Sequence, residues 1–242
     1  MKYCLPILCS LFLLPGCSKP EDAVAQSEFN LGKYNSLIKE IGIPVSASTN
    51  ANDKSWGGIT FTGSSTIALW TTLKSDFPGY IVRNTGWGGI TLRELIANSE
   101  WMVFTNHPEV LVLYIGDNDA TIYDIDTFKK HMDCFVENYL YRTAAKLVFI
   151  SVKPSPVRKS FFDFYDSVNS HLSSKADQSN SIYFIDIWTP ITEGGTTSYF
   201  AVDGLHLNSK GYSLITELLT PVLEGIFAEL DTDTNDPEDP DI

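Results

Sequence analysis

Five short runs of apolar and β-branched residues recur along this chain, separated by longer stretches with helical spacing, and that alternation constrains the fold more than any other property of the sequence. The runs are Ile59-Thr60-Phe61-Thr62, Tyr80-Ile81-Val82-Arg83, Val110-Leu111-Val112-Leu113-Tyr114-Ile115, Leu147-Val148-Phe149-Ile150 and Ile182-Tyr183-Phe184-Ile185. Strands that are apolar almost throughout, rather than at every second residue, are expected where both faces of a sheet are covered. Helical patterns at residues 127–141 and 161–175 lie between the later runs. Strand and helix in alternation predict an α/β domain, a three-layer α/β/α sandwich around a five-stranded parallel sheet. The domain is expected to occupy residues 55–228, with no internal repeat and no second domain.

The ends of the chain read differently. Residues 1–16 carry Lys2 as their one charge, followed by an apolar run from Cys4 to Leu14. That run is shorter than the roughly twenty residues a membrane span needs, so it reads as an export signal. Leu14-Pro15-Gly16-Cys17 resembles a bacterial lipobox, with Pro15 an unusual choice, and implies lipid attachment at Cys17. The expected location is the bacterial cell envelope, with the protein tied to a membrane through Cys17. Residues 17–54 are expected to form a tether and lead-in, with a short helix near residues 34–41. The acids from Asp231 to Asp241 imply a disordered tail over residues 229–242.

Of the four cysteines, Cys4 and Cys9 leave with the signal and Cys17 takes lipid, so no disulfide can form in the mature chain. Cys134 sits at helical spacing among Phe128, Met132, Phe135 and Tyr139 and reads as a core thiol. With Lys and Arg totalling 17 against 30 acids, the net charge of −13 argues against nucleic acid as a partner. His107, His131 and His171 share no metal-like spacing and read as surface residues. The sequence implies no metal and no organic cofactor, and nothing in it sets an oligomeric state.

Polar motifs begin where the strand runs stop. Gly63-Ser64-Ser65 follows the first run, Asn84-Thr85-Gly86-Trp87-Gly88-Gly89 the second, and Gly116-Asp117-Asn118-Asp119 the third; Asp203-Gly204-Leu205-His206 lies beyond the fifth. In open parallel sheets ligands bind outside the carboxyl ends of the strands, so these motifs share one edge. A carboxylate three residues before a histidine can orient an imidazole base, and such a base suits activation of a serine. The glycine run is no dinucleotide fingerprint, because Thr91 stands where a third glycine is required. The run Lys153-Pro154-Ser155-Pro156-Val157-Arg158 reads as a Pro-stiffened connection or, alternatively, as a segment that frames the cleft or contacts substrate, and Asp117 and Asp119 as loop residues with structural hydrogen bonds.

At these blocks, from Ile59 to Phe227 and in the same order, the chain resembles the SGNH (GDSL-type) hydrolase family. The resemblance implies a flavodoxin-like fold, Ser65 as nucleophile, and His206 as a base oriented by Asp203. It implies an oxyanion hole made of the N–H groups of Ser65 and Gly89 and the side-chain amide of Asn118. Two departures matter. Ser64 replaces the family's usual aspartate, as in a branch whose block reads Gly-Ser-Ser-Ser, and leaves open whether Ser64 or Ser65 attacks, with alignment favouring Ser65. Ile90 follows the glycine block where many members are polar, implying a more apolar wall; Trp87 is either an acyl-pocket residue or a packing one. The activity implied is that of a serine esterase, with short-chain acyl esters of carbohydrates as the leading substrates. The alternatives are a lysophospholipase- or thioesterase-like lipid esterase and a catalytically silent glycan-binding lipoprotein.

Overall fold

Each of the five apolar runs forms a strand in the computed structural model, which describes residues 57–233. They are β1 (Ile59–Gly63), β2 (Val82–Asn84), β3 (Val110–Tyr114), β4 (Lys146–Ile150) and β5 (Ile182–Ile185). All pairings are parallel and the order is β2-β1-β3-β4-β5, the flavodoxin-like arrangement. β1 and β3 are buried along their whole length. β2 starts two residues later than the apolar run suggests, because it is an edge strand and Ile81 before it is exposed.

The covering helices are α1 (Ser65–Ala68), α2 (Leu73–Asp76), α3 (Leu92–Ala97), α4 (Ser99–Met102), α5 (Ile125–Arg142), α6 (Phe162–Asp177), α7 (Trp188–Glu193) and α8 (Ser209–Asp233). Successive side chains of a strand point to opposite faces, and β3 and β4 divide accordingly. Leu111, Leu113, Leu147 and Phe149 pack with Leu95, Phe128, Phe135, Tyr139, Tyr165 and Leu172 from α3, α5 and α6. Val110, Val112, Val148 and Ile150 pack on the other side with Ile67, Leu73, Ile215, Leu219, Leu223 and Ile226 from α1, α2 and α8. These two cores lie between the sheet and the helices on either face, which makes the three layers.

α5 is started by Asp124, whose carboxylate accepts from the N–H of Thr127 at 2.7 Å, a common helix N-cap device. Cys134 is buried in it, as expected. His131 is also buried, at 5% exposure, against the edge of the Tyr123 ring. The surface reading of His131 is therefore wrong: it falls four residues before Phe135, on the helix's core-facing side. α8 runs on through Asp233, past the expected start of the tail at 229. The signal, Cys17, the helix expected at 34–41 and residues 234–242 lie outside the described residues. Among the described residues no helix is long and apolar enough to cross a membrane.

Candidate active site

β1 ends in a turn that only glycine can make. Gly63 has φ +125°, and a Cβ there would lie 1.8 Å from the Tyr114 carbonyl oxygen of the adjacent strand. The chain passes from it into α1, with Ser65 as the first helical residue and the Ser64 carbonyl accepting from the N–H groups of Ile67 and Ala68. The two serines have separate situations. Ser64 is fully buried and its hydroxyl donates to Asp117 Oδ1 at 3.1 Å. Ser65 is half-buried, with access to solvent.

Beneath this turn lies a polar cluster that sequence reasoning missed. Lys153, with no exposed surface, donates through Nζ to Asp117 Oδ2 at 2.9 Å and to the Tyr114 hydroxyl at 3.0 Å. The Tyr114 hydroxyl in turn faces Asp117 Oδ2 at 3.3 Å, and Tyr165 donates to the Asp117 carbonyl at 3.0 Å. Burial would raise the Asp117 carboxyl. The Lys153 charge and hydrogen bonds from Lys153, Ser64 and Tyr114 outweigh it and hold the group below the ordinary carboxylate value. Burial and the nearby Asp117 push the Tyr114 phenol far upward, so it stays protonated. The available signal was a lysine directly after an apolar strand, where a charge needs a buried partner.

Asp203 and His206 meet within one loop. Asp203 Oδ2 lies 2.6 Å from His206 Nδ1, and Oδ1 accepts from the backbone N–H groups of Leu205 and His206 at 2.9 and 3.0 Å. Those backbone donors and then the imidazole hold the Asp203 carboxyl down at about 2. With Nδ1 engaged, Nε2 is the ring nitrogen left for proton transfer. The connection after β4 fastens this loop: Ser155 Oγ donates to the Leu205 carbonyl at 3.2 Å and the Val157 N–H to the Gly204 carbonyl at 3.3 Å. The run after β4 is thereby bonded to the loop of Asp203 and His206. Among the described residues no hydrogen bond joins Ser65 to His206.

The glycine loop and Asn118 form the third part. The Trp87 N–H donates to the Gly63 carbonyl at 2.8 Å and Asn84 Nδ2 to the Ile67 carbonyl at 2.7 Å, which seats the loop against the serine turn. Asn118 Nδ2 donates to the Ile90 carbonyl at 3.1 Å, and Asp119 Oδ1 accepts from the Leu92 N–H at 2.9 Å. Asn118 and the Gly89 loop are thereby tied at adjoining residues, and Gly89 itself is exposed with φ +81°. Burial raises the Asp119 carboxyl to about 7, against the lowering effect of the Leu92 N–H. Ile90 is 4% exposed and packs with the core, and it also lines the cleft beside the glycine loop, as the apolar wall expected of it would. A cleft of about 230 Å³ beside the loop is lined by Trp87, Gly88, Gly89, Ile90, Glu94 and Asn98. A larger groove of about 410 Å³, between α6 and the residues after β5, contains none of these groups.

The arrangement offers a hydroxyl at a helix start, a carboxylate-oriented imidazole and an amide beside a glycine N–H, all at the carboxyl ends of parallel strands. No cluster of His, Cys, Asp and Glu fit to hold a metal occurs among the described residues.

A family model described as GDSL-like lipase/acylhydrolase matches residues 32–219. The fold is similar to that of a GDSL-like lipase from Bacteroides thetaiotaomicron, at 20% identity and TM-score 0.56 over 79% of this chain and 97% of that one. It is similar to a lipase/acylhydrolase from Enterococcus faecalis, at 19% identity and TM-score 0.58 over 70% and 96%. A family 3 carbohydrate esterase from Clostridium thermocellum aligns at 15% identity and TM-score 0.56 over 71% and 98%. No curated protein sequence matches the chain.

Proposed function

The chain belongs to the GDSL-like lipase/acylhydrolase family, and from that premise we propose that it is a serine esterase that cleaves short-chain acyl esters of carbohydrates. The observation that carries the reading is the Asp203–His206 contact at 2.6 Å on the strand edge that also presents Ser65, Gly89 and Asn118.

In the proposed reaction, His206 Nε2 takes the proton of Ser65 while Asp203 keeps Nδ1 protonated and stabilises the imidazolium. The Ser65 oxygen attacks the ester carbonyl, and the oxyanion meets the N–H groups of Ser65 and Gly89 and the amide of Asn118. Collapse expels the alcohol, which receives the proton from His206. Water, deprotonated by the same imidazole, then releases the carboxylic acid and restores Ser65. Ser64 stays outside this chemistry, with its hydroxyl held on Asp117. For the reaction to proceed, the Ser65 hydroxyl and Nε2 must come within about 2.6–3.2 Å in the substrate complex, and such bonds often tighten only there.

The choice of a carbohydrate ester is supported by the fold shared with the family 3 carbohydrate esterase from Clostridium thermocellum. The test is hydrolysis of p-nitrophenyl esters from acetate to palmitate by the wild type and by Ser65→Ala. Activity greatest at acetate and abolished by the substitution is expected. Equal rates in the two folded proteins would overturn the serine mechanism, and an optimum at palmitate would favour the lipid-esterase alternative. The proposal includes attachment to the bacterial envelope through lipid on Cys17, which predicts that labelled palmitate enters the wild type and not Cys17→Ser.

A further inference from the structure

Two tryptophans, one within the glycine loop and one in α4 beside it, stay outside the core. Trp87 and Trp101 are 51% and 48% exposed. Their ring centroids lie 6.1 Å apart with the planes inclined by 46°. Adjacent exposed indoles are an unusual use of residues that usually bury most of their surface, and exposed apolar patches mark sites of interaction. Both are held in place. The backbone of Trp87 is bonded to Gly63 at the serine turn, and Trp101 Nε1 donates to Asn98 Oδ1 at 3.1 Å.

The polar groups around them are also arranged. Glu94 Oε2 accepts from the N–H and hydroxyl of Thr91 at 2.9 and 2.8 Å, closing a capping box at the start of α3. That fixes the carboxylate at the cleft and leaves Oε1 to accept from a ligand. Asn98 Nδ2 donates to the Glu94 carbonyl at 2.8 Å, so its amide is oriented as well. The cleft next to Gly89 therefore combines the Trp87 indole with the fixed Glu94 and Asn98 side chains, and Trp101 adjoins it through its contacts with Trp87 and Asn98.

A pyranose ring has this same division, with C–H faces that stack on aromatic rings and hydroxyl edges that need acceptors. A fatty chain does not: it would desolvate the Glu94 carboxylate and return no hydrogen bond, which is costly for a charged group. We propose that Trp87 and Trp101, with Glu94 and Asn98, form a sugar-binding subsite that holds the alcohol part of the ester beside Gly89. This rests on the esterase reading above and assigns its substrate preference to named side chains.

The experiment compares full-length wild type, Ser65→Ala, Trp101→Ala and Trp101→Phe on two kinds of acetate. One is a set of monoacetylated methyl glucosides and xylosides, and the other is ethyl acetate, which lacks a ring. The wild type is expected to prefer at least one sugar acetate in kcat/KM. Trp101→Ala is expected to reduce the sugar-to-ethyl preference about tenfold, chiefly through KM, the size of one good aromatic contact. Trp101→Phe, which keeps an aromatic face, should restore part of it. Trp101 is half-exposed, so unfolding midpoints serve as the control for folding. Ester cleavage that depends on Ser65, with no sugar preference or with an equal fall on both kinds of ester in Trp101→Ala, overturns the subsite and leaves the esterase reading standing. Cleavage that survives Ser65→Ala undamaged overturns both.

Discussion

Replacing Lys153 by methionine removes a cation from beneath the serine turn while keeping most of the side-chain volume. The ammonium has no exposed surface and is bonded to Asp117 and Tyr114. Its loss leaves the Asp117 carboxylate buried, with Ser64 and Tyr114 as its remaining side-chain donors. Breaking a buried pair from one side costs about 3–5 kcal/mol, a large share of the roughly 5–15 kcal/mol that holds a domain folded. For a domain of this size that corresponds to a fall of about 6–20 °C in Tm. The pH dependence is a sharper test. In the wild type the Asp117 carboxyl is held below its usual value, so its stabilising contribution is present above the unfolded value of 3.8 and is lost as pH falls through the folded one. In Lys153→Met burial acts unopposed by the lysine, the shift reverses, and the penalty eases as the solution is acidified and Asp117 takes a proton. Urea unfolding followed by tryptophan fluorescence at about pH 7 and pH 4.5 would measure both. The penalty should shrink at the lower pH, and adding Asp117→Asn should recover much of the loss at neutral pH. A variant within about 1 kcal/mol of wild type at pH 7, or a penalty equal at both pH values, would refute the account of the pair.

If Asn118 donates to the oxyanion as proposed, Asn118→Ala should lower kcat by about 10²–10³ with a smaller change in KM, because such a donor acts mainly in the transition state; steady-state kinetics on a short-chain ester decide it. Asp119 has the opposite linkage to Asp117: its carboxyl is raised from 3.8 to about 7, so its contribution is complete below the unfolded value and is lost as pH rises through the folded one. Wild-type stability should therefore lose ground between about pH 4 and 7 from this group, and Asp119→Asn should flatten that part of a urea-unfolding pH profile. Gly63→Ala should prevent normal folding, because the added methyl meets the Tyr114 carbonyl, whereas Gly88→Ala, where nothing lies within 4 Å, should keep the wild-type circular dichroism and melting temperature.

The sheet was legible because its strands are apolar along their length, and covered parallel strands leave that mark. The ends of the runs were less so: the side chains of Tyr80 and Ile81 look like strand, yet β2 begins at Val82 and only the Ile81 carbonyl reaches β1, accepting from the Ile59 N–H at 2.8 Å. The Asp203–His206 contact was legible because both partners share one turn. Asp117 and Asp119 show the reverse case. Two acids in one tetrapeptide, both buried, are driven in opposite directions, since the Lys153 charge outweighs burial at Asp117 whereas at Asp119 burial outweighs the Leu92 N–H. The pairing with Lys153 spans separate strand ends, and no local pattern records it. Trp101 was passed over for a similar reason, because its meeting with Trp87 is made by the fold and not by sequence spacing.

The self-contained loop of Asp203 and His206 has a consequence for how such a site can vary. The carboxylate is bonded to the backbone of the very turn that carries the imidazole, so the base and orienting acid of the proposed mechanism travel as one rigid unit. Alignment with the serine then reduces to a single variable, the seating of that turn on Ser155 and Val157. A shift of the turn would alter the reach of the imidazole without changing which nitrogen carries its proton. Substitutions around the turn can in this way tune the rate in small steps, while the proton-transfer unit itself is inherited whole.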